Sequence, residues 1–147
     1  MQLKALSHFA SVAAAAIVGV VLERIRARRS YALIERAPGF KAWRMSKWVK
    51  HAGRIETQGL VGTDAASSIA EQTAQALAKL DAILTEAGSS RDKLLSVTIY
   101  LRVIARAFAG MNGVYDAWLG TDKPTRACVQ AKLGHSWLVE IRAQAAA

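Results

Sequence analysis

The run from Ser68 to Val103, SIAEQTAQALAKLDAILTEAGSSRDKLLSVTIYLRV, changes its apolar period once, and that change decides the fold class. Ser68 and Glu71 stand at capping-box spacing, where each side chain satisfies a free backbone amide at a helix start. Ile69, Thr73, Leu77, Leu80 and Leu84 then recur at intervals of three and four, one apolar face of an amphipathic helix. Gly88, with two serines behind it, supplies the stop. From Leu95 the period drops to two. Leu95, Val97, Ile99, Leu101 and Val103 alternate with Ser96, Thr98, Tyr100 and Arg102, as in a half-buried strand.

The alternation of helix and strand continues outward in both directions. Phe108, Met111, Tyr115 and Trp118 return to helical spacing and predict a second helix ending near Gly120, with Pro124 in the following turn. Methionine and aromatic side chains at that spacing are core positions before they are a cofactor box. Two further strands are predicted over residues 126–133 and 138–145, as a closing hairpin. In the last, Val139, Ile141 and Ala143 alternate with Glu140, Arg142 and Gln144. Upstream, residues 47–61 hold two short strands that turn at Ala52-Gly53. The order ββαβαββ implies an α+β domain with both helices packed on one face of a mixed sheet. An apolar opposite face would be covered by self-association.

Length and composition agree with one domain. The 147 residues are 52% apolar and 21% charged, which excludes a disordered or fibrous chain. A single cysteine, Cys128, excludes a disulfide framework and a multi-cysteine metal site, and His8, His51 and His135 are not at ligand spacing. No metal is expected. The net charge of +9 is uneven: residues 1–50 carry +8 and residues 51–147 only +1. A nucleic-acid groove needs its charge on the folded surface, so no nucleic-acid partner is expected for the domain.

The basic segment divides the chain into an extension, residues 1–33, and a domain, residues 34–147. Residues 9–22, FASVAAAAIVGVVL, carry no charge, and Arg24, Arg26, Arg28 and Arg29 follow. Extended back to Ala5, the run reaches the short limit of a membrane span, which needs about 20 apolar residues. Residues 5–22 therefore leave open a membrane anchor, a targeting presequence, a helix packed on the domain, or an extension ahead of the natural start.

No Gly-rich phosphate loop, G-x-S-x-G or H-E-x-x-H motif is present. Arg126 opens a strand after a Pro-Thr turn, where a guanidinium can clamp a carboxylate in bidentate fashion. Glu140 lies amid apolar neighbours, where a carboxylate can position a water. Taken alone, such a pair is more often a structural ion pair. Cys128, with no histidine beside it in sequence, reads as a small buried hydrophobe before a nucleophile.

Pro124-Thr125-Arg126-Ala127-Cys128-Val129-Gln130, followed by Val139-Glu140-Ile141, resembles the closing signature of the RidA (YjgF) family, P-x-R-x-x-V and then a strand with V-E-I or I-E-I. The likeness extends through Asn112 and Tyr115, the helix start Ser68–Thr73, and Glu56-Thr57-Gln58-Gly59, where Gly59 matches a strand-end glycine. It runs from about Ile34 to the C-terminus, and Arg44-Met45-Ser46 is most like the smaller subgroups.

This resemblance implies a chorismate-mutase-like fold, a homotrimer with clefts between subunits, and a cofactor-independent, cytoplasmic imine deaminase. Such enzymes hydrolyse 2-iminopropanoate and 2-iminobutanoate to 2-keto acids and ammonia. By the same resemblance Arg126 would hold the substrate carboxylate. Glu140 would position the water with the backbone of Cys128, and Gly59, Gln58 and Phe108 would line the cleft. The chain departs from the family in three places. It lacks the aromatic P-Y-x-Q motif, has Gln58 where the deaminases have serine, and has Arg106-Ala107 ahead of Phe108 in place of an acidic residue. A non-catalytic binder of small keto acids at the same cleft is the alternative.

Overall fold

The computed structural model describes residues 17–26, 28, 33–38, 44–62 and 68–147. It separates into two compact units, residues 1–33 and 34–147. In the first, residues 17–26 are helical (α1). Most of the apolar run at 5–22 lies outside the described residues; among those described, no helix is long and apolar enough to cross a membrane.

The second unit runs β1 (Glu35–Arg36), β2 (Trp48–His51), β3 (Arg54–Thr57), β4 (Leu60–Val61), α2 (Ile69–Glu86), a 3-10 turn (Arg91–Lys93), β5 (Leu94–Leu101), α3 (Ile104–Trp118), β6 (Thr125–Gln130) and β7 (Val139–Ala146). The predicted ββαβαββ series is present. The added strands β1 and β4 are two residues each, too short to carry a period. The sheet order is β1-β2-β3-β7-β5-β6, with β4 also on β7. All pairs are antiparallel except β5 with β6.

Two expectations need correction. The last two strands are not a hairpin, because β5 lies between them. A parallel β5–β6 pair needs a crossover, and α3 supplies it. In β5, Leu94 rather than Leu95 faces the core (7% against 39% exposed). A register irregularity between Leu94 and Ser96 inserts one residue and moves the alternation by one position. Val103 is likewise exposed, because it caps α3 instead of extending the strand.

Both helices share one core with one side of the sheet. Leu77, Leu80 and Leu84 of α2, Met111 and Tyr115 of α3, and Val97, Ile99, Leu101, Val139, Ile141, Ala143 and Ala145 of the strands are buried together. The other side mixes polar and apolar side chains, with Val49, Tyr100, Ala127 and Val129 on the same face as Glu56, Ser96, Arg142 and Gln144. There Ser96 Oγ donates to Gln144 Oε1 (3.3 Å), and Arg142 pairs with Glu56 at 2.6 Å. An Arg91–Asp81 pair (2.6 Å) joins the 3-10 turn to α2, and the Trp118 indole donates to the same carboxylate at 2.9 Å.

Local signals explain the boundaries. The capping box is formed: Ser68 Oγ accepts from Glu71 N–H (3.3 Å), and Glu71 Oε2 accepts from Ser68 N–H (2.7 Å). Ser68→Ala is expected to cost about 1 kcal/mol, read from urea melts, and an unchanged midpoint would show that packing alone sets this end. The β2–β3 hairpin turns through Ala52 (φ 50°) and Gly53 (φ 74°), both left-handed as a type I′ turn requires. Alanine is strained there. Ala52→Asn is therefore expected to raise stability by roughly 0.5–1 kcal/mol, and a lower melting temperature would contradict this.

Candidate functional site

Arg126 and Cys128 lie on β6, the strand at the end of the sheet order. Arg126 pairs in register with Val97 and Cys128 with Ile99, so both side chains are on the face that the helices cover. Phe108, Asn112 and Tyr115 stand at i, i+4 and i+7 on α3, one stripe of that helix. Asn112 Oδ1 accepts from Arg126 Nη1 at 2.8 Å, and the guanidinium carbon lies 4.9 Å from the centre of the Tyr115 ring. A planar cation held at its edge and over an aromatic face has its direction set before any ligand arrives. Arg126 itself is exposed, and none of the three ion pairs among the described residues involves it.

Cys128 is partly buried against the core. Burial pushes its thiol up, with Arg126 opposing the shift, so a thiolate is disfavoured. Phe108 is 42% exposed and corrects its reading as a core position; Ala107 and Met111 take the core side of α3. Tyr115 is buried, and its hydroxyl has no hydrogen-bond partner among the described residues.

Glu140 belongs to a second group. It pairs in register with Tyr100 of β5 and Val61 of β4. Tyr100 is three residues from Val97, so Glu140 emerges on the face opposite to Arg126. The two therefore form no ion pair: a complete strand separates β6 from β7. The structural-pair reading is excluded within one chain.

Glu140 is set by a break in the sheet. Thr57 is buried and its Oγ1 accepts from Ala143 N–H at 3.0 Å while donating to Gln58 O at 2.9 Å. A side chain thus stands in for a backbone rung, and β3 gives way to β4 across Gln58-Gly59. Gly59 comes so close to Glu140 that a Cβ built on it would be 1.9 Å from Oε1. From the helix side, Gln72 Oε1 accepts from Leu138 N–H at 2.8 Å, which ties α2 to the chain just ahead of Glu140. Gln72 is fully buried. Glu140, Gly59, Gln58, Met45, Leu60, Val61, Trp137 and Lys79 line a cleft of ≈ 380 Å³.

The predicted residues are thus brought together as two sets. Arg126 and Cys128 share one face, with Asn112 and Tyr115 completing the group. Gln58, Gly59 and Glu140 form the other. Lys79, Met45 and Trp137 were not anticipated: a lysine within an amphipathic helix and a tryptophan in a loop carry no periodic signal. Among the described residues no group of three or more His, Cys, Asp or Glu side chains is arranged to hold a metal ion.

A mixed sheet with helices on one side only, and a loaded edge strand parallel to its neighbour, is the chorismate-mutase-like class of α+β domains. The chain belongs to the RidA (YjgF) family, whose family model, described as "Endoribonuclease L-PSP", matches residues 37–147. A RutC family protein of Pyrococcus abyssi is 34% identical over 107 residues, covering 72% of this chain and 84% of its own. The RutC family protein YoaB of Escherichia coli is 42% identical over 78 residues, 52% of this chain and 68% of its own. Among solved structures, a YjgF family member from Neisseria meningitidis superposes with a TM-score of 0.73 at 38% identity, covering 79% of this chain and 96% of its own.

Proposed function

We propose that the protein is a cofactor-independent imine deaminase, hydrolysing 2-imino acids to 2-keto acids and ammonia at a cleft between copies of the chain. The observation that carries this reading is the separation of the two sets. Arg126 is aligned by Asn112 and Tyr115 but pairs with no carboxylate among the described residues, while Glu140 is held against Gly59 on the other side of the sheet. Each is half of a site for a small carboxylate. A second copy, in a homotrimer as the family resemblance implies, would bring the Arg126 set of one chain to the Glu140 set of the next.

In that arrangement the guanidinium takes the substrate carboxylate in a fork, which fixes C2. Glu140 accepts a proton from water as its oxygen attacks C2 of the protonated imine, giving a carbinolamine. The proton is then delivered to nitrogen, the C–N bond breaks as the hydroxyl gives its proton to the departing ammonia, and ammonium leaves with the 2-keto acid. The sum is iminium plus water giving ketone plus ammonium. Cys128, kept as a thiol, serves through its backbone and not as a nucleophile. The near-neutral charge of residues 51–147 favours a small substrate over RNA.

The carboxylate-binding alternative draws on one observation: Gln58 lines the cleft beside Glu140, where it can take a ligand group without chemistry. One experiment separates the readings. An amino-acid oxidase generates 2-iminobutanoate, semicarbazide traps what is not hydrolysed, and the full-length protein is added, its mass measured by light scattering. Faster loss of trappable imine by a trimer supports the deaminase. A trimer that binds 2-oxobutanoate without accelerating hydrolysis supports the binder, and a monomer overturns the shared site.

A further inference from the structure

Lys79 has no part in the hydrolysis described above, yet it lines the same cleft as Glu140. It lies on α2, and its ammonium donates to Val61 O at 2.6 Å. Val61 is the register partner of Glu140, so Lys79 reaches the strand edge at the register level of that residue. One N–H is spent on that carbonyl, and two remain. None of the three ion pairs among the described residues involves Lys79. Its own helix offers none either: positions three and four away are Ala76, Gln75, Ala82 and Ile83. Partial burial lowers its pKa, the mark of an ammonium that has lost water without gaining an anion.

A second uncommitted donor faces the same space. The backbone of Gln58 is engaged, with N–H on Lys47 O and C=O on the Thr57 hydroxyl. Among the described residues its side-chain amide has no partner, and it too lines the cleft. An ammonium from α2 and an amide from the β3–β4 break thus look onto one cleft from different elements. Their shared complement is an anionic acceptor group at the end of a ligand. Methionine and tryptophan on the remaining wall leave room for the methylenes that carry it.

Resting on the deaminase reading, we propose that Lys79 is a specificity-determining residue and that the substrates are 2-imino acids with a second carboxylate on the side chain, of the 2-iminosuccinate and 2-iminoglutarate type. The 1-carboxylate sits on Arg126 of a second copy, C2 lies against Glu140, and the side-chain carboxylate takes the two free N–H groups of Lys79, with Gln58 beside it. Such a substrate gives the ammonium an ion-pair partner that 2-iminobutanoate lacks, so its effect is on selectivity between substrates.

The test compares 2-iminoglutarate, made by a glutamate oxidase with catalase, and 2-iminobutanoate in the semicarbazide assay, using the full-length protein. The wild type is expected to favour 2-iminoglutarate at least tenfold in kcat/KM. Lys79→Met should lower kcat/KM for 2-iminoglutarate at least tenfold more than for 2-iminobutanoate, mainly through KM, and Lys79→Arg should restore most of the preference. A wild type without this preference, or a Lys79→Met variant that loses both substrates in proportion, overturns the proposal; in the second case Lys79 only ties α2 to β4. If neither imine is hydrolysed, the deaminase reading fails separately, and calorimetry with 2-oxoglutarate and 2-oxobutanoate decides this one. A preference for 2-oxoglutarate that vanishes in Lys79→Met upholds it, and equal affinities overturn it.

Discussion

Arg126→Ala is expected to lower kcat/KM for 2-iminobutanoate by roughly a hundredfold or more, about 3 kcal/mol of transition-state stabilisation, while the protein still folds and assembles. On the deaminase reading, the fork is the group that turns a diffusing imine into an oriented one. Arg126 is exposed, bonded to Asn112 and stacked on the Tyr115 ring, so its removal leaves no buried charge behind. The unfolding free energy should move by less than about 1 kcal/mol. Arg126→Lys keeps the charge but loses the planar pair of donors, and should recover only part of the rate. Steady-state hydrolysis beside a urea melt checks both statements. An alanine variant with full activity would remove Arg126 from the site.

Gly59→Ala should be nearly as damaging to activity and almost silent in stability. The added methyl would lie 1.9 Å from Glu140 Oε1, 2.8 Å from Cδ and 3.1 Å from Cγ, so the two cannot coexist. Its obstruction is the end of a flexible side chain rather than backbone, and the conflict resolves when the carboxylate swings away. On the proposed role of Glu140, a displacement of an ångström or more at the group positioning water costs about a hundredfold. Expected results are a loss of that size in kcat, a melting temperature within a few degrees of wild type, and no further loss when Glu140→Gln is added. Additive losses would show that Gly59 and Glu140 act separately.

Much of this domain is legible locally. Ser68 and Glu71 carry the start of α2 in four residues, and the stripe from Ile69 to Leu84 carries its buried face. Ala52-Gly53 marks a turn because few backbones reach positive φ twice in succession. What failed was read across elements. Leu95 looks equivalent to Leu94 until the register slips against β7, and Phe108 looks like core until α3 turns it outward. The β4 strand starts where the Thr57 hydroxyl takes the Ala143 N–H in place of a backbone rung and Gln58-Gly59 interrupts β3.

The site shows the same division more sharply. By itself the sequence determined the residue types and their elements: an arginine opening one strand, a glutamate in another, a glycine ending a third, and asparagine and tyrosine on one helical stripe. Those follow from periods and caps, which act over a few residues. Only the tertiary structure decided that β5 stands between β6 and β7, that Arg126 and Glu140 leave the sheet on opposite faces, and that Lys79 reaches the Glu140 cleft from α2. Strand order and the face of a side chain are set by pairings between segments tens of residues apart, and no local pattern carries them.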